Sequence, residues 1–265
     1  MSDLFNIITQ RWAEVNKKDL DRIRAITKGD FFYYDSVGST NTEAMRRTDA
    51  KDKSLFIAEK QTNGRGRKNR SWEASSGGIY MTILLKPEKI SEDISALTLA
   101  AGLAVARAIP DAMIKWPNDI ILNEKKVAGI LTETRIFGES CVIAVGIGIN
   151  ANNKAFSEDL EDKATSIYLY SGNVQDKASL ISKVYCEFLE MYEDFKSGFS
   201  KIREEYSKKC ITLNREIVVI RGGKERVMYA SSINEKGELL VVSDGKTEVI
   251  NSGEVSVRGL LGYAK

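Results

Sequence analysis

From residue 143 to residue 150 the chain reads Ile-Ala-Val-Gly-Ile-Gly-Ile-Asn, and no other stretch restricts the fold as much. Successive side chains of a β-strand point to opposite faces. Ala144, Gly146, Gly148 and Asn150 therefore share one face, and Ile143, Val145, Ile147 and Ile149 share the other. The second is an ordinary core face. The first is nearly bare backbone with one amide at its end. Glycine inside a strand weakens it and marks a place where a ligand or another backbone comes close. Two explanations fit: a flat ligand lying on the glycines, or another element packed against them.

The remaining elements can be read around this strand. Residues 4–26 read as a helix with apolar positions at Phe5, Ile8, Trp12, Val15, Leu20 and Ile23, stopping at Lys28-Gly29-Asp30. A short strand at 31–34 leads through a turn to a helix that Ser39 or Thr40 caps. A strand at 55–60 opens into a loop at 62–76, and 79–85 is a second apolar strand. A helix at 94–109, capped by Ser91 and ended by Pro110, has Thr98 as the single polar residue of its middle, so it should be buried on most sides. Strands follow at 113–116, 120–123, 127–135 and 141–150, then an amphipathic helix at 179–195 and another helical piece at 199–209. From Ile211 onward, turn signals such as Arg221-Gly222-Gly223-Lys224 and Asp244-Gly245 separate four or five short strands, the pattern of a small barrel.

Composition removes several chemistries. The chain of 265 residues contains no histidine, so a Ser-His-Asp triad, a Cys-His pair and a histidine zinc site are all excluded. Chemistry must run on Lys, Arg, Asp, Glu, Ser, Thr or backbone groups, a set suited to positioning and charge. Cys141, Cys186 and Cys210 are widely spaced and odd in number, which reads as reduced cytoplasmic thiols. No apolar run is long enough for a membrane span. Met1-Ser2-Asp3-Leu4-Phe5 lacks the basic start of a signal peptide. A net charge of +2 does not by itself argue for nucleic acid, so any basic site must be local.

Such a site is present in Gly64-Arg65-Gly66-Arg67-Lys68-Asn69-Arg70-Ser71-Trp72, where four cationic side chains fall within six residues. Glycines let backbone N–H groups approach an anion, and arginine forks match phosphate or carboxylate oxygens. Alone, the run also fits a solvated loop or a single-strand nucleic-acid contact. A third constellation joins Lys115-Trp116-Pro117-Asn118-Asp119 to Lys126-Val127-Ala128-Gly129-Ile130-Leu131. Pro117 turns the chain at a strand end and presents Asn118 and Asp119 on a loop. Lys126 opens the next strand, either as a lysine aimed into a cleft or as a hairpin lysine in water. Ser39-Thr40-Asn41 places three hydrogen-bonding side chains at a helix start, which a plain cap would also explain.

In order and combination these segments are not generic. Ser39-Thr40-Asn41, Gln61 with Gly64-Arg65-Gly66-Arg67, Lys115-Trp116-Pro117-Asn118-Asp119, Lys126-Val127-Ala128-Gly129-Ile130-Leu131 and Gly146-Ile147-Gly148-Ile149-Asn150 together resemble the biotin protein ligases. The resemblance spans residues 34–152 in detail and the C-terminal β segment more loosely. It implies an α+β fold in which a mixed β-sheet covered by helices, the biotin/lipoate ligase catalytic fold, fills residues 1–209, the first 29 forming a helical segment. Residues 210–265 would then be a small SH3-like β-barrel.

The resemblance also implies an activity. Biotin carboxylate attacks the α-phosphate of ATP, with Mg²⁺, giving biotinyl-5′-AMP and pyrophosphate. A lysine of a biotin carboxyl-carrier domain of a carboxylase then takes the biotin. By matching positions, Ser39, Thr40, Asn41, Gln61, Gly64, Arg65, Arg67, Lys126, Gly129, Leu131, Gly146 and Gly148 fall on the biotin side. Arg65, Arg67, Arg70, Trp72, Asn118, Lys126, Asn150 and Arg258 fall on the ATP side. Lys126, Arg67 and Asp119 are the expected catalytic residues, with Asp119 receiving the acceptor amine. Asn69 stands where the family often has glycine. About 30 residues precede the strand at 31–34, too few for the DNA-binding module of some members, so no DNA partner is expected. A homodimer is one option for the assembly. The rivals are a lipoate or octanoate ligase or transferase of the same fold, and a single-strand nucleic-acid binding module.

Overall fold

The computed structural model describes residues 15–74, 76–88, 94–138, 140–252, 256–259 and 264. In chain order the first elements are α1 (Lys17–Ile26), β1 (Phe31–Tyr34), α2 (Thr40–Arg46), β2 (Ser54–Ala58), β3 (Ile79–Leu85) and α3 (Ile94–Ala108). Then come β4 (Met113–Lys115), β5 (Asp119–Leu122), β6 (Lys125–Phe137), β7 (Ser140–Ile149), α4 (Ile167–Ser171), α5 (Lys177–Lys196) and α6 (Ser200–Lys209). The last five are β8 (Arg215–Arg221), β9 (Lys224–Ile233), β10 (Leu239–Ser243), β11 (Lys246–Ile250) and β12 (Ser256–Gly259). The chain forms two compact units, Met1–Ile90 with Val127–Cys186, and Ser91–Lys126 with Glu187–Lys265.

In the first unit the strands lie in the order β1-β2-β3-β7-β6. β1 runs parallel to β2 and the other pairs are antiparallel, so the sheet is mixed. Register sets the two faces. Gly146 lies between Thr82 and Leu131, and Gly148 between Tyr80 and Gly129. On the opposite face Ile143, Val145, Ile147 and Ile149 are at most 4% exposed, the expected core face. Helix α2 covers one end of the glycine-bearing face. Its Ala44 packs with Phe56, Leu84, Val142 and Ala144, and Phe32, Tyr34 and Met45 border this cluster.

In the second unit α3 is buried as its composition requires, with Leu97, Leu99, Ala100, Ala101, Leu103, Ala104 and Val105 at most 1% exposed. β4 and β5 form a hairpin pair. Trp116 beside it is 1% exposed, and its Nε1 donates to the Gly237 carbonyl at 3.1 Å. β8 to β12 form an antiparallel sheet in the order β11-β10-β9-β8-β12. No pairing of β11 with β12 closes it into a barrel among the described residues.

Several expectations change. The helix expected at 4–26 begins only at Lys17 within the described part, and residues 4–14 lie outside the described residues. Asn16 caps its start, its side chain accepting the Asp19 amide at 3.1 Å, while the Val15 amide donates to Glu59 at 2.9 Å. Ser39 occupies the N-cap of α2 without a side-chain capping bond. Ser91 lies outside the described residues. The one-turn helix α4 was not foreseen; Ser166 caps it by accepting the Leu169 amide at 3.0 Å, and Gly172 closes it at φ 74°. No described helix is long and apolar enough to cross a membrane.

Candidate active site

The polar floor of the first unit starts at the head of α2. Bonds from Thr62 and Asn63 amides to the carbonyls of Val37 and Gly38 lay the segment after β2 beside the turn after β1. This brings Gln61 to the helix start, where its Oε1 accepts the Thr40 amide at 2.8 Å and the Thr40 hydroxyl at 3.1 Å. Ser39, Thr40 and Asn41 are 6%, 3% and 3% exposed, so polar groups are buried here and must be bonded. The Thr82 hydroxyl, on β3, sits 2.8 Å from Thr40 Oγ1 and donates to Asn41 Oδ1 at 2.7 Å. Asn41 Nδ2 donates to the Leu131 carbonyl at 3.1 Å and to Glu133 Oε2 at 2.8 Å.

Of the two explanations for the bare strand face, close packing of other elements is the one seen here. A Cβ at Gly146 would lie 2.3 Å from Asn41 Oδ1, and one at Gly148 would lie 2.7 Å from Trp72 Cε2. The glycines are therefore required by close approach of two side chains, one from α2 and one from the basic loop. Gly129 and Leu131 of β6 flank the same glycines across the ladder.

The basic loop is a small hairpin. Trp72 donates its amide to Gly64 at 2.9 Å and Gly66 donates to Arg70 at 2.7 Å, around a tight turn at Arg67–Asn69 in which Lys68 has φ 56°. Gly64 is needed because a Cβ there would meet the Trp72 carbonyl at 2.6 Å. Arg65 donates through Nη2 to Glu133 Oε2 at 2.9 Å and to Thr42 Oγ1 at 3.3 Å. Arg67 is half-buried and Arg70 exposed. Desolvation, and then the charges of Arg67 and Arg70, hold the Lys68 ammonium below its ordinary range. Asn150 is 4% exposed, and its Nδ2 donates to the Thr165 carbonyl at 3.1 Å, so this amide braces the segment before α4.

The second unit carries the other candidates. The Trp116–Pro117 bond is cis, and Asn118 in the turn is 8% exposed. Asp119 opens β5 and is ion-paired with Lys126, their side chains 16% and 25% exposed. Lys126 stands on β6, the strand that continues to Gly129 and Leu131. Arg258 on β12 lines a small recess with Lys115 and Arg215, three cations of which Lys115 is 5% exposed. No cluster of three or more metal-ligating side chains exists among the described residues.

Sequence reading passed over Thr82 and Glu133. The signal was available: Thr82 is the one polar residue in the run from Ile79 to Leu85 apart from the Tyr80 hydroxyl, and Glu133 follows Gly129 and Leu131 at period two.

Residues 33–150 match the Biotin/lipoate A/B protein ligase family. The bifunctional ligase/repressor BirA of Bacillus spizizenii is 34% identical over 237 residues, 85% of this chain and 73% of that protein. The biotin–[acetyl-CoA-carboxylase] ligase of Paracoccus denitrificans is 30% identical over 234 residues, 83% of this chain and 98% of that protein. Among solved structures, the Aquifex aeolicus biotin protein ligase in complex with biotin and ATP superposes with a TM-score of 0.77 at 31% identity, covering 87% of this chain and 99% of that one. With the mixed sheet, the separate C-terminal antiparallel sheet and this likeness over most of its length, the chain belongs to the biotin protein ligases.

Proposed function

We propose that the chain attaches biotin to a lysine of a carboxylase's biotin carrier domain, through a biotinyl-5′-AMP made from ATP. The observation that carries this reading is the polar floor: buried Thr40, Asn41 and Thr82 and half-buried Gln61 converge on a glycine-bearing strand face beneath an arginine-rich loop. Apolar surface with a few placed polar groups is the usual make-up of a small-molecule site. In this reading Ser39, Thr40, Asn41 and Gln61 bind biotin, with Gly64, Gly129, Leu131, Gly146 and Gly148 as neighbours. Arg70, Trp72, Asn118, Asn150 and Arg258 serve the nucleotide.

In the first step a biotin carboxylate oxygen bonds to the α-phosphorus and the bond to pyrophosphate breaks. Carboxylate and triphosphate repel, so Arg65, Arg67 and Lys126 supply opposing charge, which acts more strongly where water is excluded. Mg²⁺ bound with the triphosphate would partly neutralise its charge. In the second step the acceptor amine attacks the acyl carbon and AMP leaves, and Asp119 takes the amine proton. Residues 1–209 form the catalytic domain and 210–265 an SH3-like domain in this reading, the division falling in the gap between α6 and β8. The site of action is the cytoplasm, in keeping with Cys141, Cys186 and Cys210 all being unpaired. A net charge of +2 gives no ground for a DNA partner.

The test is incubation of the purified chain with biotin and ATP·Mg²⁺, with mass spectrometry for biotinyl-AMP and a parallel arm with lipoate. Biotinyl-AMP is expected. Its absence refutes the reading, and adenylate with lipoate alone gives the site to the lipoate rival.

A further inference from the structure

The strand face that carries the glycines also carries a carboxylate that neither step uses. Glu133 lies opposite Ala144 on the β6–β7 ladder, in line with Leu131 and Gly129. Its Oε2 accepts two donors from different elements, Asn41 Nδ2 of α2 at 2.8 Å and Arg65 Nη2 of the basic loop at 2.9 Å. A negative charge on a face that receives anionic ligands repels them. Its effect on a ligand must therefore run through the cation it holds.

The contact differs from an ordinary surface ion pair. Glu133 and Arg65 are 27% and 42% exposed, a setting in which a lone pair contributes little. Here the same oxygen also grips Asn41, which is 3% exposed and bonded to Thr82 and Leu131, so the carboxylate is fixed to the buried floor. The guanidinium has five N–H donors. Its bonds to Glu133 and Thr42 both run through Nη2, at 2.9 and 3.3 Å, which leaves the donors on Nη1 and Nε for an incoming anion. A long side chain on a loop loses rotamer freedom when it grips a ligand, and a partner that has already fixed it removes part of that loss.

From these contacts we infer that Glu133 is a positioning residue for adenylate formation: it anchors Arg65 by one nitrogen to the floor built on Asn41, so that the other donors of the guanidinium meet the reacting anions. The inference rests on Arg65 serving that step. Glu133 itself touches no reacting atom, and it acts on the first half-reaction alone.

The experiment uses the full chain and the variants E133A, E133Q, R65A and E133A/R65A. Three readouts are taken: biotin-dependent ATP–pyrophosphate exchange, single-turnover transfer from preformed biotinyl-AMP to a carrier domain, and thermal unfolding. E133A is expected to slow exchange about tenfold, because a misplaced catalytic contact loses rate steeply, and to leave transfer within about twofold of wild type. E133A/R65A should match R65A, since a residue acting through Arg65 adds nothing once Arg65 is gone. E133Q, which keeps size and one acceptor oxygen, is expected to lose about threefold with the same non-additivity. It carries the test if E133A does not fold. Losses that multiply in the double variant, an equal slowing of transfer, or exchange unchanged or faster in E133A and E133Q overturn the inference while the ligase reading stands. A wild-type chain that makes no biotinyl-AMP, or R65A with full exchange, overturns the assignment of Arg65 and this inference with it.

Discussion

Replacing Gly146 with alanine puts a methyl group where the Asn41 amide lies. The new Cβ would sit 2.3 Å from Asn41 Oδ1 and 2.8 Å from its Cγ. Gly146 is laddered between Thr82 and Leu131, so the sheet holds its place and the asparagine must move. Moving it breaks into three bonds: the Thr82 hydroxyl at 2.7 Å, the Leu131 carbonyl at 3.1 Å and Glu133 at 2.8 Å. A neutral bond contributes about 0.5–1.5 kcal/mol net, and one to a charged group about 1.5–3 kcal/mol. Against this, alanine gains roughly 0.4–1 kcal/mol by restricting the unfolded chain, because the backbone here is compatible with a side chain. With the Glu133 bond and one other lost, the net effect is a destabilisation of about 2 kcal/mol. Biotin affinity should fall at least about tenfold, because the displaced amide no longer offers its contact. Urea unfolding followed by tryptophan fluorescence gives the first number and titration calorimetry the second. In an Asn41→Ala background the same change should be nearly silent, since the methyl then enters vacated space. Unchanged stability and unchanged affinity in Gly146→Ala, or full additivity with Asn41→Ala, would refute the steric reasoning.

The other expectations concern charge. Lys126→Ala should lower ATP–pyrophosphate exchange by on the order of 10² or more, as for loss of one preorganised contact to developing charge; near-normal exchange rules the assignment out. Asp119→Asn should slow single-turnover transfer from preformed biotinyl-AMP by on the order of 10² while exchange is affected far less, and an unchanged transfer rate would reject its role as proton acceptor. Lys177 and Glu59 form a buried pair at 2.6 Å, with side chains 7% and 9% exposed. Lys177→Met should destabilise by about 3–5 kcal/mol because it strands the Glu59 charge. Adding Glu59→Gln should recover most of the loss, and a loss under about 1 kcal/mol in the single variant would show that the pair is not buried in solution.

Much of the fold could be read from local pattern. The strands at 31–34 and 79–85 have the expected bounds, and β7 differs from its expected range by one residue at each end. These segments alternate or are continuously apolar, and burial repays that pattern directly. Helix α4 was missed because five residues make barely one turn and show no period; only Ser166 and Gly172 mark it. The glycine face was legible, but what covers it was not. Asn41 and Trp72 are far from Gly146 and Gly148 in sequence, and only the tertiary fold places them there. Glu133 shares its face with Leu131 by simple alternation, yet beside Thr132, Thr134 and Arg135 it reads as one more polar residue of a strand leaving the core. Its meaning depends on Arg65 arriving from a different loop. The five C-terminal strands follow from their turns, whereas closure into a barrel is a long-range property that turn signals do not encode.

The charge pattern poses a problem that these pairs resolve. The chain has 39 basic and 37 acidic residues, so its overall field does little to gather two anions. Recognition must come from cations fixed in place, and two of the proposed cations are each held by a carboxylate: Arg65 by Glu133 and Lys126 by Asp119. Such a partner is a weak competitor. A half-exposed pair such as Arg65–Glu133 contributes about 0.2–1 kcal/mol, whereas a hydrogen bond from a charged donor to a ligand anion contributes about 1.5–3 kcal/mol. The carboxylate thus orders the cation without withholding it. For Lys126 the partner has a second use, because Asp119 is the proposed proton acceptor of the following step. In a chain without histidine, the proposed proton acceptor of the second step is thus already paired with the proposed cation of the first.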